Sequence, residues 1–262
     1  MLSDRSCVML WLVPLVLRLL RRHLEGAFDV DLGSLQAIYC GGAPLDPEIV
    51  TFFDRLGIGV YQGYGLTEAA PVVSMNSPAA NRAASVGRSL PGTAVRIDGG
   101  GEILVKGPGV MLGYWGDDAA TRDAVDAGGW LHTGDLGRFD DDGYLFVTGR
   151  VKSLIVLDSG KKVQPEEVEV VLARGDRFVE VCVVGWRPAG GPYGGERVCA
   201  VVVPVEPMSE DEATEEVRRL SAPLSPFKRP TMVRVHEGPL PRTVKQSLRR
   251  AEVARYLDGL EV

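Results

Sequence analysis

Residues 37–68 read AIYCGGAPLDPEIVTFFDRLGIGVYQGYGLTE, and this stretch decides the fold. Ala37-Ile38-Tyr39-Cys40 is a short apolar run halted by Gly41-Gly42-Ala43-Pro44, the pattern of a buried strand ending in a turn. Asp46-Pro47 predicts a helix start, a carboxylate to cap free amides followed by a proline where no amide hydrogen is needed. That helix should end near Gly57, and Gly59-Val60-Tyr61-Gln62 reads as the next strand. Upstream, Leu15 to Leu24 carries apolar residues at helical spacing with arginines between them, preceded by the apolar run Cys7 to Leu17. Pro14 interrupts that run, and it falls short of the roughly 20 apolar residues that span a bilayer. A buried strand leading into an amphipathic helix is expected there, and no small-residue cleavage site follows. Strand–helix–strand alternation predicts an α/β fold with a parallel sheet covered by helices.

The pattern changes after about Ser77. Val95-Arg96-Ile97 and Glu102-Ile103-Leu104-Val105 alternate between Gly99-Gly100-Gly101 and Gly107-Pro108-Gly109, which predicts antiparallel strands and tight turns. Asp140-Asp141-Asp142-Gly143 reads as a hairpin turn, since it lacks the alternating acids of a calcium loop. A second domain is expected from about Arg150. It holds a strand at Leu154 to Leu157, a Ser159-Gly160 turn and a helix opened by Pro165-Glu166-Glu167. Val179 to Gly185 and Val198 to Pro204 suit a buried sheet, with a glycine-rich loop around Tyr193 between them. Ser209 and Glu212 form a capping box for a helix ending near Ala222. The expected domains are 1–150, divided into an α/β part (1–77) and a β-barrel part (78–150), and 151–262.

Composition is that of a folded protein. Of 262 residues 45% are hydrophobic and 24% charged, which excludes a disordered or collagen-like chain. A net charge of −6 argues against general affinity for nucleic-acid phosphates. The four cysteines show no CxxC spacing, so reduced core thiols in a cytoplasmic protein are expected.

Three patterns carry chemistry. Gly63-Tyr64-Gly65-Leu66-Thr67-Glu68 follows a strand: glycines admit close backbone approach, tyrosine offers a flat face, and Thr67 and Glu68 offer oxygens for phosphate and Mg²⁺. Taken alone, it is also an ordinary strand-end loop. Gly129-Trp130-Leu131-His132-Thr133-Gly134-Asp135 places a carboxylate at a strand end, suited to both hydroxyls of a ribose or to capping a turn. Arg150 downstream suits ribose or phosphate, or a surface ion pair. His132 reads as packed beside Trp130. Finally, Ser159-Gly160-Lys161-Lys162 and the basic segment Leu240 to Arg250 read as solvated stretches or as site residues.

Together, Gly41-Gly42-Ala43-Pro44-Leu45, Tyr64-Gly65-Leu66-Thr67-Glu68, His132-Thr133-Gly134-Asp135, Gly149-Arg150 and Pro165-Glu166-Glu167-Val168-Glu169 stand in one order. The chain thus resembles the AMP-forming acyl-CoA synthetases, the adenylate-forming ligases, from about Val13 to Arg250. The wording around Leu154 to Lys161 looks most like the bacterial long-chain fatty-acid branch. The resemblance implies ATP-dependent activation of a carboxylic acid to acyl-AMP, then transfer to CoA. It implies that Gly41, Gly42, Ala43, Pro44 and Tyr64 hold adenine, that Gly65 belongs to the nucleotide site, and that Thr67 touches the α-phosphate. Glu68 would hold Mg²⁺, Asp135 the ribose hydroxyls and Arg150 stand beside them. Lys152 falls at the family's hinge, and Ser159, Gly160 and Lys161 would line the path of CoA.

Two departures accompany the resemblance. The family's Ser/Thr/Gly-rich phosphate loop is not found in these residues, so the chain corresponds to the C-terminal part of the large domain plus the small domain. Alignment from Pro241-Arg242-Thr243 puts Ser247 where the family places its adenylation lysine. Lys245 stands two residues earlier, a displacement of roughly 6.5–7 Å along a strand. Alternatives left open are a ligase that loads a carrier protein, a non-catalytic nucleotide- or CoA-binding remnant, and one half of a split enzyme completed by a separate N-terminal half.

Overall fold

A computed structural model describes residues 8–25, 32–187, 195–242 and 248–258. The chain divides into two compact units, Met1–Val147 and Thr148–Val262. The first opens with β1 (Met9–Leu12), α1 (Pro14–Leu24), β2 (Ala37–Cys40), α2 (Pro47–Arg55) and β3 (Gly59–Gly65). The three strands are parallel and adjacent in chain order, and β4 (Val72–Met75) and β5 (Arg88–Ser89) extend the sheet antiparallel beyond β3. The Asp46 side chain accepts the Glu48 amide at 3.0 Å, and Gly57 takes a positive φ of 76° just past the last turn of α2. Both helix boundaries expected from the sequence therefore hold.

Both helices cover the same side of the sheet. Leu17 and Leu24 of α1 and Ile49 and Phe53 of α2 pack with Ile38, Cys40 and Val60 in one buried cluster. Successive parallel strands added in one direction, each through a right-handed crossover, put their helices on one face. The opposite face carries the register-matched residues Trp11, Tyr39 and Tyr61, with the first two rings stacked at 4.7 Å. β1 is accordingly not the buried strand its composition suggested. It lies at the sheet edge, and Trp11 is 64% exposed. Apolar content shows that a strand has a core face; it does not show that both faces are covered.

The second sheet of this unit is antiparallel, in the order β6 (Ala94–Ile97), β7 (Glu102–Lys106), β8 (Leu131–Phe139) and β9 (Leu145–Arg150), a half-barrel with α3 (Asp118–Ala124) in the β7–β8 connection. Its buried side joins Ile103, Val105, Leu131 and Leu145 to Val73 and Val86. The Asp140 turn is a hairpin, its carboxylate accepting the amides of Asp142 and Tyr144, while Arg82 pairs with both Asp140 and Asp142.

In the second unit, β10 (Ile155–Val156) and β11 (Lys162–Val163) form a hairpin ahead of α4 (Pro165–Leu172). A three-stranded sheet follows, β12 (Phe178–Trp186), β13 (Arg197–Pro204) and β14 (Met232–Val235), with α5 (Glu210–Ser221) between the last two strands and α6 (Arg250–Asp258) after them. One face of β12 and β13 packs against Val168, Leu172, Ala213 and Val217; the other face packs against Val253 and Leu257. Burial on both sides is why these strands read as unbroken apolar runs. The Ser209–Glu212 capping box is present on α5.

Candidate active site

The loop Gly41–Leu45 leaves the carboxyl end of β2 beside the carboxyl end of β3, where open parallel sheets receive ligands. The two strand ends are tightly apposed: a Cβ on Gly41 would lie 3.2 Å from the Gly63 carbonyl oxygen. β3 continues through Tyr64 and Gly65, where a Cβ would sit 1.8 Å from the carbonyl oxygen of Pro71, so only glycine fits. One turn of 3-10 helix, Thr67–Ala69, follows. The Glu68 carbonyl accepts the Met111 amide at 2.8 Å, and its Oε1 accepts the Tyr114 hydroxyl at 3.2 Å. Burial, and then the negative charge of Glu68, push the Tyr114 phenol above its usual range, which keeps it a donor.

Asp135 comes to this place through a break in β8. Glu102 on β7 pairs with Leu136 and Leu104 pairs with His132, so one intervening residue on β7 opposes Thr133, Gly134 and Asp135 on β8. An enlarged bulge of this kind bends a strand and re-aims its side chains. Four hydrogen bonds hold the bulge and its carboxylate. Thr133 Oγ1 donates to the Ile103 carbonyl at 2.7 Å and accepts the Asp135 amide at 3.1 Å. Gly134 takes φ 71°, a conformation glycine adopts at little cost, and its amide donates to Glu102 Oε1 at 2.8 Å. The outcome is a buried carboxylate, 5% exposed, whose Oδ2 accepts the Tyr64 hydroxyl at 2.8 Å across 71 residues of sequence. Asp135 therefore lies inside a nine-residue strand, not at a strand end as its motif suggested.

His132 has carboxylate neighbours that its sequence context did not announce. Its Nδ1 is 3.1 Å from Glu102 Oε2 and its Nε2 is 4.0 Å from Asp126, whereas the Trp130 ring is faced by the Arg96 guanidinium at 4.1 Å. Glu102 and Tyr114 were not foreseen. Their signal was slight: an acid opening a strand after three glycines, and a tyrosine directly after Gly113.

In the second unit, Arg150 precedes a 3-10 turn, Val151–Ser153, that exposes Lys152. A Cβ on Gly149 would lie 1.9 Å from Gln164 Oε1, the end of a side chain that would have to turn aside. Ser159 and Gly160 form the β10–β11 turn, Gly160 at φ 73°, and Lys161 sits 4.5 Å over the Phe227 ring. Lys245, Ser247 and the Tyr193 loop lie outside the described residues. Cys40, Cys182 and Cys199 are free and buried, and burial above all pushes each thiol up to about 12. Among the described residues no helix is long and apolar enough to cross a membrane.

This α/β architecture with its half-barrel is that of the adenylate-forming ligases, and residues 1–115 match the AMP-binding enzyme family. An indoleacetate–CoA ligase of Aromatoleum aromaticum is 36% identical over 246 residues, covering 87% of this chain and 46% of the relative. The long-chain-fatty-acid–CoA ligase FadD15 of Mycobacterium bovis is 39% identical over 168 residues, 64% of this chain and 27% of the relative. Among solved structures, an O-succinylbenzoate coenzyme A synthetase from Bacillus subtilis in complex with AMP superimposes with a TM-score of 0.78 at 29% identity, covering 95% of this chain and 51% of that one. The same synthetase has also been solved with ATP and a magnesium ion. The chain spans about half the length, or less, of the curated relatives it matches. Those relatives act on different acids.

Proposed function

We propose that this chain serves the AMP-forming activation of a carboxylic acid, of the fatty-acid class, and its transfer to CoA. The observation that carries the reading is the 2.8 Å hydrogen bond from Tyr64 to the buried Asp135. It joins the aromatic face at the end of β3 to the one carboxylate that the bulge of β8 turns toward it. Tyr64 and the Gly41–Pro44 loop provide a wall for a planar base, and Asp135 provides two acceptor oxygens for vicinal hydroxyls. Thr67 and Glu68, which follow Leu66 directly, carry the oxygens for the α-phosphate and Mg²⁺.

The donor set suits Mg²⁺ bound together with a nucleotide. Glu68 is a single carboxylate steadied by Tyr114, and among the described residues no cluster of three or more metal-ligating side chains exists. Mg²⁺ commonly takes one or two carboxylates plus substrate phosphates, and it would supply charge neutralisation there. Arg150 is assigned to the sugar or phosphate, Lys152 to the hinge, and Ser159, Gly160 and Lys161 to the CoA path, on their motif positions. Catalysis in such a site is chiefly positioning and charge stabilisation of an in-line displacement at phosphorus.

Titration calorimetry with AMP and with non-hydrolysable acyl-adenylate analogues tests the reading. Asp135→Ala removes at least one hydrogen bond to a charged acceptor, worth about 1.5–3 kcal/mol, so affinity should fall at least roughly ten- to a hundredfold. A long-chain fatty acyl-adenylate should bind more tightly than an indoleacetyl one. Unchanged affinity in Asp135→Ala would remove the ribose assignment; a preference for the aryl analogue would remove the fatty-acid assignment alone.

A further inference from the structure

We propose that Glu102 is the residue that positions Asp135. The inference rests on the reading of Asp135 as the ribose ligand and adds to it the device that aims the carboxylate. The bulge in β8 sets three residues, Thr133, Gly134 and Asp135, against Ile103 alone on β7. Thr133 repairs two places with its own hydroxyl, at the Ile103 carbonyl and the Asp135 amide. The Gly134 amide, between those two places, is held from the neighbouring strand: Glu102 Oε1 accepts it at 2.8 Å. The second oxygen of the same carboxylate faces His132 Nδ1 at 3.1 Å, so Glu102 grips the bulge at two points, one before and one after Thr133.

Glu102 is itself firmly placed. Its backbone amide donates to Asp98 Oδ1 at 2.7 Å and its carbonyl accepts the Asp98 amide at 2.9 Å, closing the turn ahead of β7. Its side chain is only 18% exposed. The path is thus continuous: the Asp98 turn fixes Glu102, Glu102 fixes the left-handed Gly134, and Gly134 sets the direction of the next residue, Asp135, toward the Tyr64 hydroxyl. Glu102 stays a positioning residue, because its contacts are to the bulge and not to the hydroxyls Asp135 is assigned to bind.

The test uses the full 262-residue chain with ¹³C-labelled tyrosine rings, the Tyr64 resonance being assigned from Tyr64→Phe. Three variants are compared with the unaltered protein. Glu102→Gln keeps an oxygen to accept the Gly134 amide; Glu102→Leu removes it at similar size; Glu102→Asp draws the carboxylate back by one methylene and stands in should the leucine variant not fold. Glu102→Leu is expected to shift the Tyr64 ring resonance in the same direction as Asp135→Asn and to weaken AMP binding by at least about tenfold. Glu102→Gln should hold both within about twofold. A purely structural role would lower the melting temperature and leave both readouts in place. An unmoved Tyr64 resonance in Glu102→Leu and Glu102→Asp overturns the proposal, as does AMP affinity retained in these variants. Should the unaltered protein not bind AMP, the nucleotide reading fails, and the positioning claim is then decided by the Tyr64 resonance alone.

Discussion

Replacing Arg250 by methionine should destabilise the second unit by about 3–5 kcal/mol, the usual cost of removing one partner from a buried ion pair. The Arg250 guanidinium, at the start of α6, donates to Glu169 at 2.6 and 2.9 Å and to Glu166 at 2.9 Å, both acids on α4. The three side chains are only 15–19% exposed, so the remaining carboxylates would stay largely out of water without a cation. Glu169 also accepts the Val183 amide at 2.7 Å, which satisfies an outward-facing group of the edge strand β12 and stops the carboxylate from swinging out to solvent. Urea unfolding followed by fluorescence of Trp186, with Trp11, Trp115 and Trp130 of the first unit replaced by phenylalanine, reports on this unit, since that ring is buried in the core of the second unit. With a slope near 2 kcal/mol per M, a loss of 4 kcal/mol moves the midpoint down by about 2 M. Substituting Glu166 and Glu169 by leucine and methionine alongside Arg250→Met should recover most of the loss, leaving about 1–3 kcal/mol for the unpaired Val183 amide. A loss below about 1 kcal/mol in Arg250→Met would show that these charges behave as surface pairs, and the reasoning would fall.

Three further outcomes are expected. Burial moves the thiols of Cys40, Cys182 and Cys199 from 9.0 to about 12, so in the folded state they should resist a thiol reagent at pH 8 and react once urea unfolds the chain. Because the folded state keeps these protons while the unfolded state loses them, stability should fall as pH rises from about 9 toward 12, and a stability profile flat across that window would contradict it. Gly65→Ala should be far more damaging than Gly42→Ala in thermal melts: the first Cβ would meet the Pro71 carbonyl at 1.8 Å, whereas the second meets nothing within 4 Å and carries only the left-handed backbone strain of about 1–2 kcal/mol. Equal losses would mean that the β3–β4 crossing has room to give.

Much of the fold was legible because its punctuation is local. Asp46-Pro47, Gly57 and the Ser209–Glu212 pair each fix an element end through groups a few residues apart, and all three stand where the sequence placed them. What was not legible depends on groups distant in sequence. The aim of Asp135 is set by Glu102, 32 residues before its bonding partner Gly134, and no periodicity links the two. The exposed face of β1 was likewise hidden, because strand composition does not record where the next layer of chain lies. The apolar runs of β12 and β13 came out correctly, since two covered faces leave no polar alternation to misread.

Between the pairs Glu102–Leu136 and Leu104–His132, β7 advances two positions and β8 advances four. Excising two residues from β8 there would restore an unbroken antiparallel ladder, with more regular pairing and no left-handed glycine to hold. Such a shortened protein would be the better sheet and the poorer tool, its acid withdrawn from the tyrosine. The irregular strand is thus a standing sacrifice of robustness, and selection for heat resistance alone would tend to erase it.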